Sequence, residues 1–338
     1  MNKIKILLLI LLTTQSVPSY AMENAPDAIN DGRTVPLIVE NGGKNCTGFL
    51  YTERIVLTAA HCLFERFNQV QWSKQYVGTP GEPYSPNSGA RFLIEKTFIS
   101  SNWKIKNSED HSDTDDFAVL VLKDSIPVKG NAFIATKEQV DKYADSEAMV
   151  TNIGYGIQGP NHQQNDFTVP KFAEFPMVKN GVVEQIMTQI KNYSGKNGYY
   201  GMKLHVMERP GGPSTCPGDS GSAFYIKDGD NFMYLGALSW GFGGAPLCSG
   251  SGWKTNEMYM GSVAAYDFIY LVKEAEDYVA KQNIIAKSQE TTTVQNPIAS
   301  STFKKPILKV TIKCYKGKDI KKIYGINPKC PKGYKVKV

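Results

Sequence analysis

The sequence predicts an all-β protein, and three observations carry that prediction. From residue 35 onward the apolar or alternating runs are short: Val35–Val39, Phe49–Leu57, Phe117–Leu122, Ala148–Ile153 and Tyr234–Ser239. Clusters of Gly, Pro, Asn or charge separate them, which is the punctuation of strands and turns. Helical spacing interrupts this texture at Thr136–Tyr143 and at about Asp267–Lys281. Many short strands in about 250 residues build barrels or sandwiches.

Residues 1–21 stand apart from the fold. Lys3 and Lys5 precede the apolar run Ile6 to Leu12, and Ser19-Tyr20-Ala21 offers small residues where a signal peptidase reads. The pattern is a secretory signal with an apolar core too short to span a bilayer. No later run reaches transmembrane length, so an exported protein without a membrane span is expected. The charged fraction of 21% and the apolar fraction of 41% exclude a disordered or fibrous chain.

The net charge of +6 is unevenly spread. Residues 303–338 hold twelve lysines and a single acid, Asp319, giving +11. The signal carries +2, which leaves −7 for residues 22–302. An acidic body with a basic tail reads as two modules with different tasks. Six cysteines in an exported chain read as disulfides. Six allow fifteen pairings, of which proximity in sequence favours Cys46 with Cys62, Cys216 with Cys248, and Cys314 with Cys330. There is no CxxC and the four histidines are scattered, so no zinc site is implied. In the C-terminal helical pattern Phe268, Leu271, Val272, Ala275 and Val279 recur on one face, with Asp267 as the expected N-cap. Residues 283–303, rich in Ser, Thr, Gln and Asn, read as a linker.

Chemistry concentrates in three stretches. Cys216-Pro217-Gly218-Asp219-Ser220-Gly221-Ser222 is a tight turn that flanks one serine with glycines. A serine hydroxyl needs a base to take its proton and donors to hold the resulting oxyanion. Ile55-Val56-Leu57-Thr58-Ala59-Ala60-His61-Cys62 carries a histidine beside a cysteine, a fixed backbone that suits an aimed base. In Asp113-Thr114-Asp115-Asp116-Phe117-Ala118-Val119-Leu120, Asp116 stands at the mouth of an apolar strand, where it can orient an imidazole. Asp110, Asp113 and Asp115 read as solvated loop acids, and the spacing of a calcium loop is missing.

Together, Thr58-Ala59-Ala60-His61-Cys62, Asp116-Phe117-Ala118-Val119-Leu120 and Gly218-Asp219-Ser220-Gly221 resemble the chymotrypsin/trypsin family of serine peptidases. Ser239-Trp240-Gly241, Ile153-Gly154-Tyr155-Gly156 and Cys46-Thr47-Gly48-Phe49-Leu50 resemble its supporting motifs, and the resemblance covers about 29–281. It implies two antiparallel six-stranded β-barrels with a C-terminal helix over 29–282 and a site in the cleft between the barrels. It implies Ser220 as nucleophile, His61 as base, Asp116 as its orienting acid, and an oxyanion hole from the amides of Gly218 and Ser220. It also implies the pairs Cys46–Cys62 and Cys216–Cys248, and a substrate pocket involving Ser214, Ser239, Trp240 and Gly241. Neither metal nor cofactor is implied; the partner is a protein or peptide substrate, and a monomer is expected.

The family's activated N-terminus is usually Ile-Val-Gly-Gly, whose ammonium pairs with the acid before the serine, here Asp219. The nearest match is Ile29-Asn30-Asp31-Gly32, which makes 22–28 a short propeptide. The resemblance also implies that Ser214, six residues before Ser220, lies at the pocket floor, which would favour large apolar or aromatic side chains before the cleaved bond. The alternative is a Lys or Arg preference through Glu257. A peptidase fold that has lost catalysis and serves as a binding protein is the reading from another class.

The tail, 304–338, partly alternates over Ile307–Cys314, turns at Lys316–Asp319 and returns over Lys321–Ile326. So small a core needs a staple, and Cys314–Cys330 supplies one. Two readings stand for this basic module: a solubilising appendage, or an electrostatic anchor to an anionic surface. It has no arginine, so sequence-specific nucleic-acid recognition is not expected.

Overall fold

The structure is a computed structural model that describes residues 25–40, 43–64, 71, 73–86, 89–103, 115–157, 168–179, 181–182, 185, 204–208, 212–243, 258–294, 310–316, 319–325 and 329–336. The signal segment, Cys248, Glu257 and most of the two polar loops lie outside these residues. Two compact units divide the chain at Asn283/Ile284.

In the first unit, six strands close a barrel. They are β1 (Thr34–Val39), β2 (Lys44–Thr52), β3 (Ile55–Thr58), β4 (Gln75–Val77), β5 (Phe92–Ile99) and β6 (Ala118–Leu122), in the order β1-β2-β3-β6-β5-β4. The run Phe49–Leu57, expected as one strand, is instead the end of β2 and all of β3, paired antiparallel around Glu53 and Arg54. Thr52 Oγ1 accepts from Ile55 N at 3.1 Å and closes that turn. The second sheet comprises β7 (Asn131–Ile134), β8 (Met149–Gly154), β9 (Lys171–Pro176), β10 (Leu204–Glu208), β11 (Ala223–Asp228), β12 (Asn231–Gly243) and β13 (Met258–Ala264). Its path is β10-β13-β12-β11-β8-β9. The two ends meet at the Met177–Val206 bridge, where Val178 N donates to His205 O at 2.9 Å. An unforeseen seventh strand, β7, runs parallel to β12.

The apolar pattern of β6 follows from its position. Ala118, Leu120 and Leu122 face the core of the first barrel with Val35, Leu50 and Val56. Val119 and Val121 point the other way, with the adjoining Phe117, into a second cluster holding Tyr225, Phe232 and Tyr234 of the other sheet. Successive side chains alternate faces, so a strand buried on both reads as a continuous apolar run. A third cluster, with Val150, Phe175, Val206, Phe224 and Leu235, fills the second sheet.

Helix α1 (Lys137–Asp145) begins at a capping box, with the Thr136 side chain accepting from Gln139 N and the Gln139 side chain accepting from Thr136 N. Helix α2 (Ile269–Val294) buries Leu271, Val272 and Ala275 against the inter-barrel core, where Phe268 stacks on Phe117 at 5.4 Å. Two expectations are corrected here. Asp267 is not an N-cap but lies within a 3-10 turn, Ala265–Phe268, because helix-compatible residues upstream start the turn earlier. The helix also continues through 283–294, which the composition assigned to a linker. Extending a nucleated helix costs little per residue, so it outruns its own apolar stripe; Ile284 is 68% exposed. No helix among the described residues is long and apolar enough to cross a membrane.

In the second unit, β14 (Val310–Lys316) pairs with β15 (Asp319–Gly325) in a register ending at Lys316–Asp319. A short third strand, β16 (Lys335–Val336), lies on the other side of β14 and was not foreseen. Cys314, fully buried, is bonded to Cys330.

Candidate active site

Four of the sequence-predicted residues, His61, Asp116, Ser220 and Ser239, converge where the two sheets meet. Asp116 stands just before β6 and is fully buried. Its Oδ1 accepts from His61 N at 2.8 Å, and its Oδ2 lies 2.7 Å from His61 Nδ1. Ser239 Oγ donates to the same Oδ2 at 2.5 Å. Burial alone would raise the Asp116 carboxyl. The His61 charge and the bonds from His61 and Ser239 outweigh it and hold Asp116 below the ordinary carboxylate range. One oxygen fixes the histidine backbone and the other its ring, so the imidazole is aimed twice over.

His61 sits in a 3-10 turn, Ala60–Leu63, directly after β3. The Cys46–Cys62 disulfide ties that turn to β2. The His61 side chain is 35% exposed while Asp116 is closed off, which leaves one ring edge open to a substrate. Cys46, His61 and Cys62 lie close enough to suggest a metal cluster. The two sulfurs are bonded to one another, so a single imidazole remains and the trio cannot serve as a ligand set.

Ser220 lies beside this pair. Cys62 Sγ is 3.8 Å from His61 Nε2 and 3.7 Å from the Ser220 carbonyl. Among the described residues Ser220 Oγ makes no hydrogen bond, and the amides of Gly218 and Ser220 donate to no acceptor. Amides so placed are able to donate to an oxyanion. The turn depends on its glycines. Gly218 adopts φ +98, in the left-handed region. A Cβ on Gly221 would lie 2.0 Å from Thr58 Oγ1 and 2.4 Å from Thr47 O.

Four residues that sequence reasoning did not single out hold the turn in place. Thr47 Oγ1 donates to Gly218 O at 2.9 Å and accepts from Tyr155 N at 2.9 Å, while Thr47 N donates to Ser220 O at 2.9 Å. Asn152 Nδ2 donates to Ser222 Oγ and to Ala223 O, both at 2.9 Å. Lys44 is buried and donates to Tyr155 O. Glu208, at the end of β10, accepts from Thr215 N at 2.6 Å, Thr215 Oγ1 at 2.9 Å and Ser214 Oγ at 2.7 Å. Burial pushes the Glu208 carboxyl up to about 7; the Thr215 and Ser214 bonds oppose the rise, and the charge of Asp219 adds to it.

The remaining predicted positions are placed as follows. Ser214 is buried beside Glu208. Trp240 and Gly241 lie on β12, paired with Gly261 and Met260 of β13. Cys216 is disulfide-bonded, and its expected partner, Cys248, falls outside the described residues. Asp115 accepts from Ser100 Oγ at 2.5 Å and takes no part in the His61 contact.

Known proteins are similar to this chain in sequence. Mannan-binding lectin serine protease 1 of Mus musculus is 23% identical over 224 residues, 60% of this chain and 28% of that protein's own length. Venom plasminogen activator Haly-PA of Gloydius brevicauda is 24% identical over 215 residues, covering 63% of this chain and 73% of the relative. Trypsin beta of Drosophila erecta is 25% identical over 212 residues, covering 60% and 71%. The family model described as Trypsin matches residues 25–250, more than half of the chain, and the chain therefore belongs to the trypsin-like serine protease family.

Proposed function

We propose that this protein is an exported serine endopeptidase that works through an acyl-enzyme. Ser220 attacks the scissile carbonyl and the bond from Oγ to that carbon forms. His61 takes the Oγ proton and returns it to the leaving amine as the peptide bond breaks. Asp116 holds the ring in the tautomer that leaves Nε2 free to accept, and stabilises the imidazolium. The Gly218 and Ser220 amides receive the oxyanion. Water then repeats the sequence on the ester and releases the acid product. The observation that carries this reading is the Asp116–His61 pair, closed on one side by Ser239 and set against a turn with two undirected amides. Export is supported by the Cys46–Cys62 and Cys314–Cys330 bonds and by the signal-like N-terminus.

For the pocket, we infer a preference for large apolar or aromatic side chains, on the uncharged Ser214 six residues before Ser220. Glu208 is an acid next to Ser214, and three donors already occupy its oxygens; Glu257, the other candidate acid, lies outside the described residues. The test is cleavage of a peptide library by the wild type and by Ser220→Ala. The wild type is expected to cut after large apolar or aromatic residues and the variant to cut nothing. Peptidase activity in pure Ser220→Ala would sink the mechanism. Strict cleavage after Arg or Lys, unchanged in Glu257→Gln and Glu208→Gln, would sink the pocket assignment alone.

A further inference from the structure

Asp219, next to the nucleophile, is a fully buried carboxylate. Its Oδ1 accepts from Gly156 N at 2.6 Å and its Oδ2 from Cys216 N at 2.8 Å. A buried anion also needs a counter-charge. Lys44 of β2 extends into the same place and is 2% exposed. Its ammonium donates to Tyr155 O. The Tyr155 carbonyl and the Gly156 N–H are the two ends of one peptide group. The cation therefore sits on the negative end of that amide dipole and the anion on its positive end, with the peptide as bridge between them. The ammonium also lies against the turn itself, since a Cβ on Gly218 would be 3.0 Å from Lys44 Nζ.

The segment upstream of Ile29 is built into the fold. Ala25 is buried, and Asp27 bridges to Lys171 in both backbone and side chain. Ala28 N donates to Pro170 O at 2.7 Å, and Phe172 N to Pro26 O at 2.9 Å. Ile29 is 49% exposed and held at the surface, with Asn30 N donating to Gly81 O at 2.9 Å. A chain cut before Ile29 would have to give up the Asn30–Gly81 bond and carry a new amine from the surface to a site that an ammonium already occupies.

We propose that Lys44 is the positioning residue of the oxyanion turn, an internal ammonium that balances Asp219 through the Tyr155–Gly156 peptide and sets the turn in the uncut chain, with no release of Ile29. The inference rests on the peptidase reading above. Burial pulls Lys44 down to about 8 against the opposing charge of Asp219. Burial pushes Asp219 up to about 6, against the Cys216 and Gly156 bonds and the charge of Lys44. Each group's charge thus favours the ionised form of the other.

The test takes the full exported chain with Lys44→Met and Lys44→Gln, and an aryl phosphonate that labels reactive serines. Met keeps the length without the charge; Gln keeps an N–H donor without the charge. The labelled wild type is expected to retain residues 25–28 on N-terminal sequencing. Both variants are expected to label about 100-fold more slowly, the loss that follows a misplaced oxyanion donor. Hydrogen exchange over 216–222 is expected to rise about 10-fold while the global unfolding transition persists. Unchanged labelling and exchange in the variants would overturn the proposal, as would labelled wild type that begins only at Ile29. A wild type that neither labels nor cleaves any peptide would instead remove the peptidase reading. Exchange over 216–222 would then decide the role of Lys44, a rise upholding it and no change rejecting it. If neither variant folds, the N-terminus of the labelled wild type decides.

Discussion

At Asp116, two oxygens do separate work: one receives the His61 amide and the other the ring and the Ser239 hydroxyl. This divides what two substitutions should do. Asp116→Asn offers the ring an amide where it had an acceptor, so the wrong tautomer is held and kcat should fall roughly 10⁴-fold. Ser239→Ala removes one donor to a carboxylate that keeps its two His61 bonds, so a much smaller fall is expected, with KM little changed. Steady-state kinetics on one apolar peptide checks both, and equal losses in the two variants would contradict the division. The proposed roles of His61, Asp116 and Ser220 were suggested by the sequence because that chemistry demands a residue type within a short motif. Thr47, Lys44, Asn152 and Glu208 were not, because their roles come from burial and from partners far along the chain. Thr47 reaches Gly218 across 171 positions, and no local pattern marks a threonine for that.

The elements around the turn show the same division between local and distant control. Short strands, the helix near Thr136–Tyr143 and the apolar stripe of α2 were readable from periodicity. The split of Phe49–Leu57 was not, since both halves are apolar and a turn of Glu and Arg carries no Gly or Pro. Gly221 joins the elements tightly: a methyl there would press on Thr58 and Thr47 at φ +80. Gly221→Ala is expected to cost about 1–3 kcal/mol of stability, as overpacking does, and to lower activity by moving Ser220. A denaturant midpoint within error of the wild type would refute that. At the end of β10, Glu208 has a folded-state pKa near 7, above its ordinary value of 4.5. An acid raised on folding binds its proton more tightly in the native state. Its favourable share is complete below pH 4.5 and is lost as pH rises to about 7. Glu208→Gln should therefore flatten the fall in unfolding free energy between pH 4.5 and 7; an unchanged slope would show that Glu208 does not titrate there.

On the scale of the whole chain, charge is the largest asymmetry. The body carries −7 and residues 303–338 carry +11, on a small sheet stapled by Cys314–Cys330. Attraction by charge alone weakens steeply with salt. If the tail is an anchor, the full chain should bind an anionic matrix at low salt and elute at moderate salt, and a chain ending at Gln282 should not bind. That truncation falls beyond Tyr278 and Val279, which pack on the core, so the rate on small peptides should be unaffected. Equal retention of the two proteins would reject the anchor.

The central claim is that Ser220 is a nucleophile activated by His61. Mass spectrometry of the protein after treatment with an aryl phosphonate tests it most directly. A single adduct on Ser220 is expected in the wild type and none in His61→Ala under the same conditions. An adduct on another residue, or equal labelling of Ser220 without His61, would contradict it.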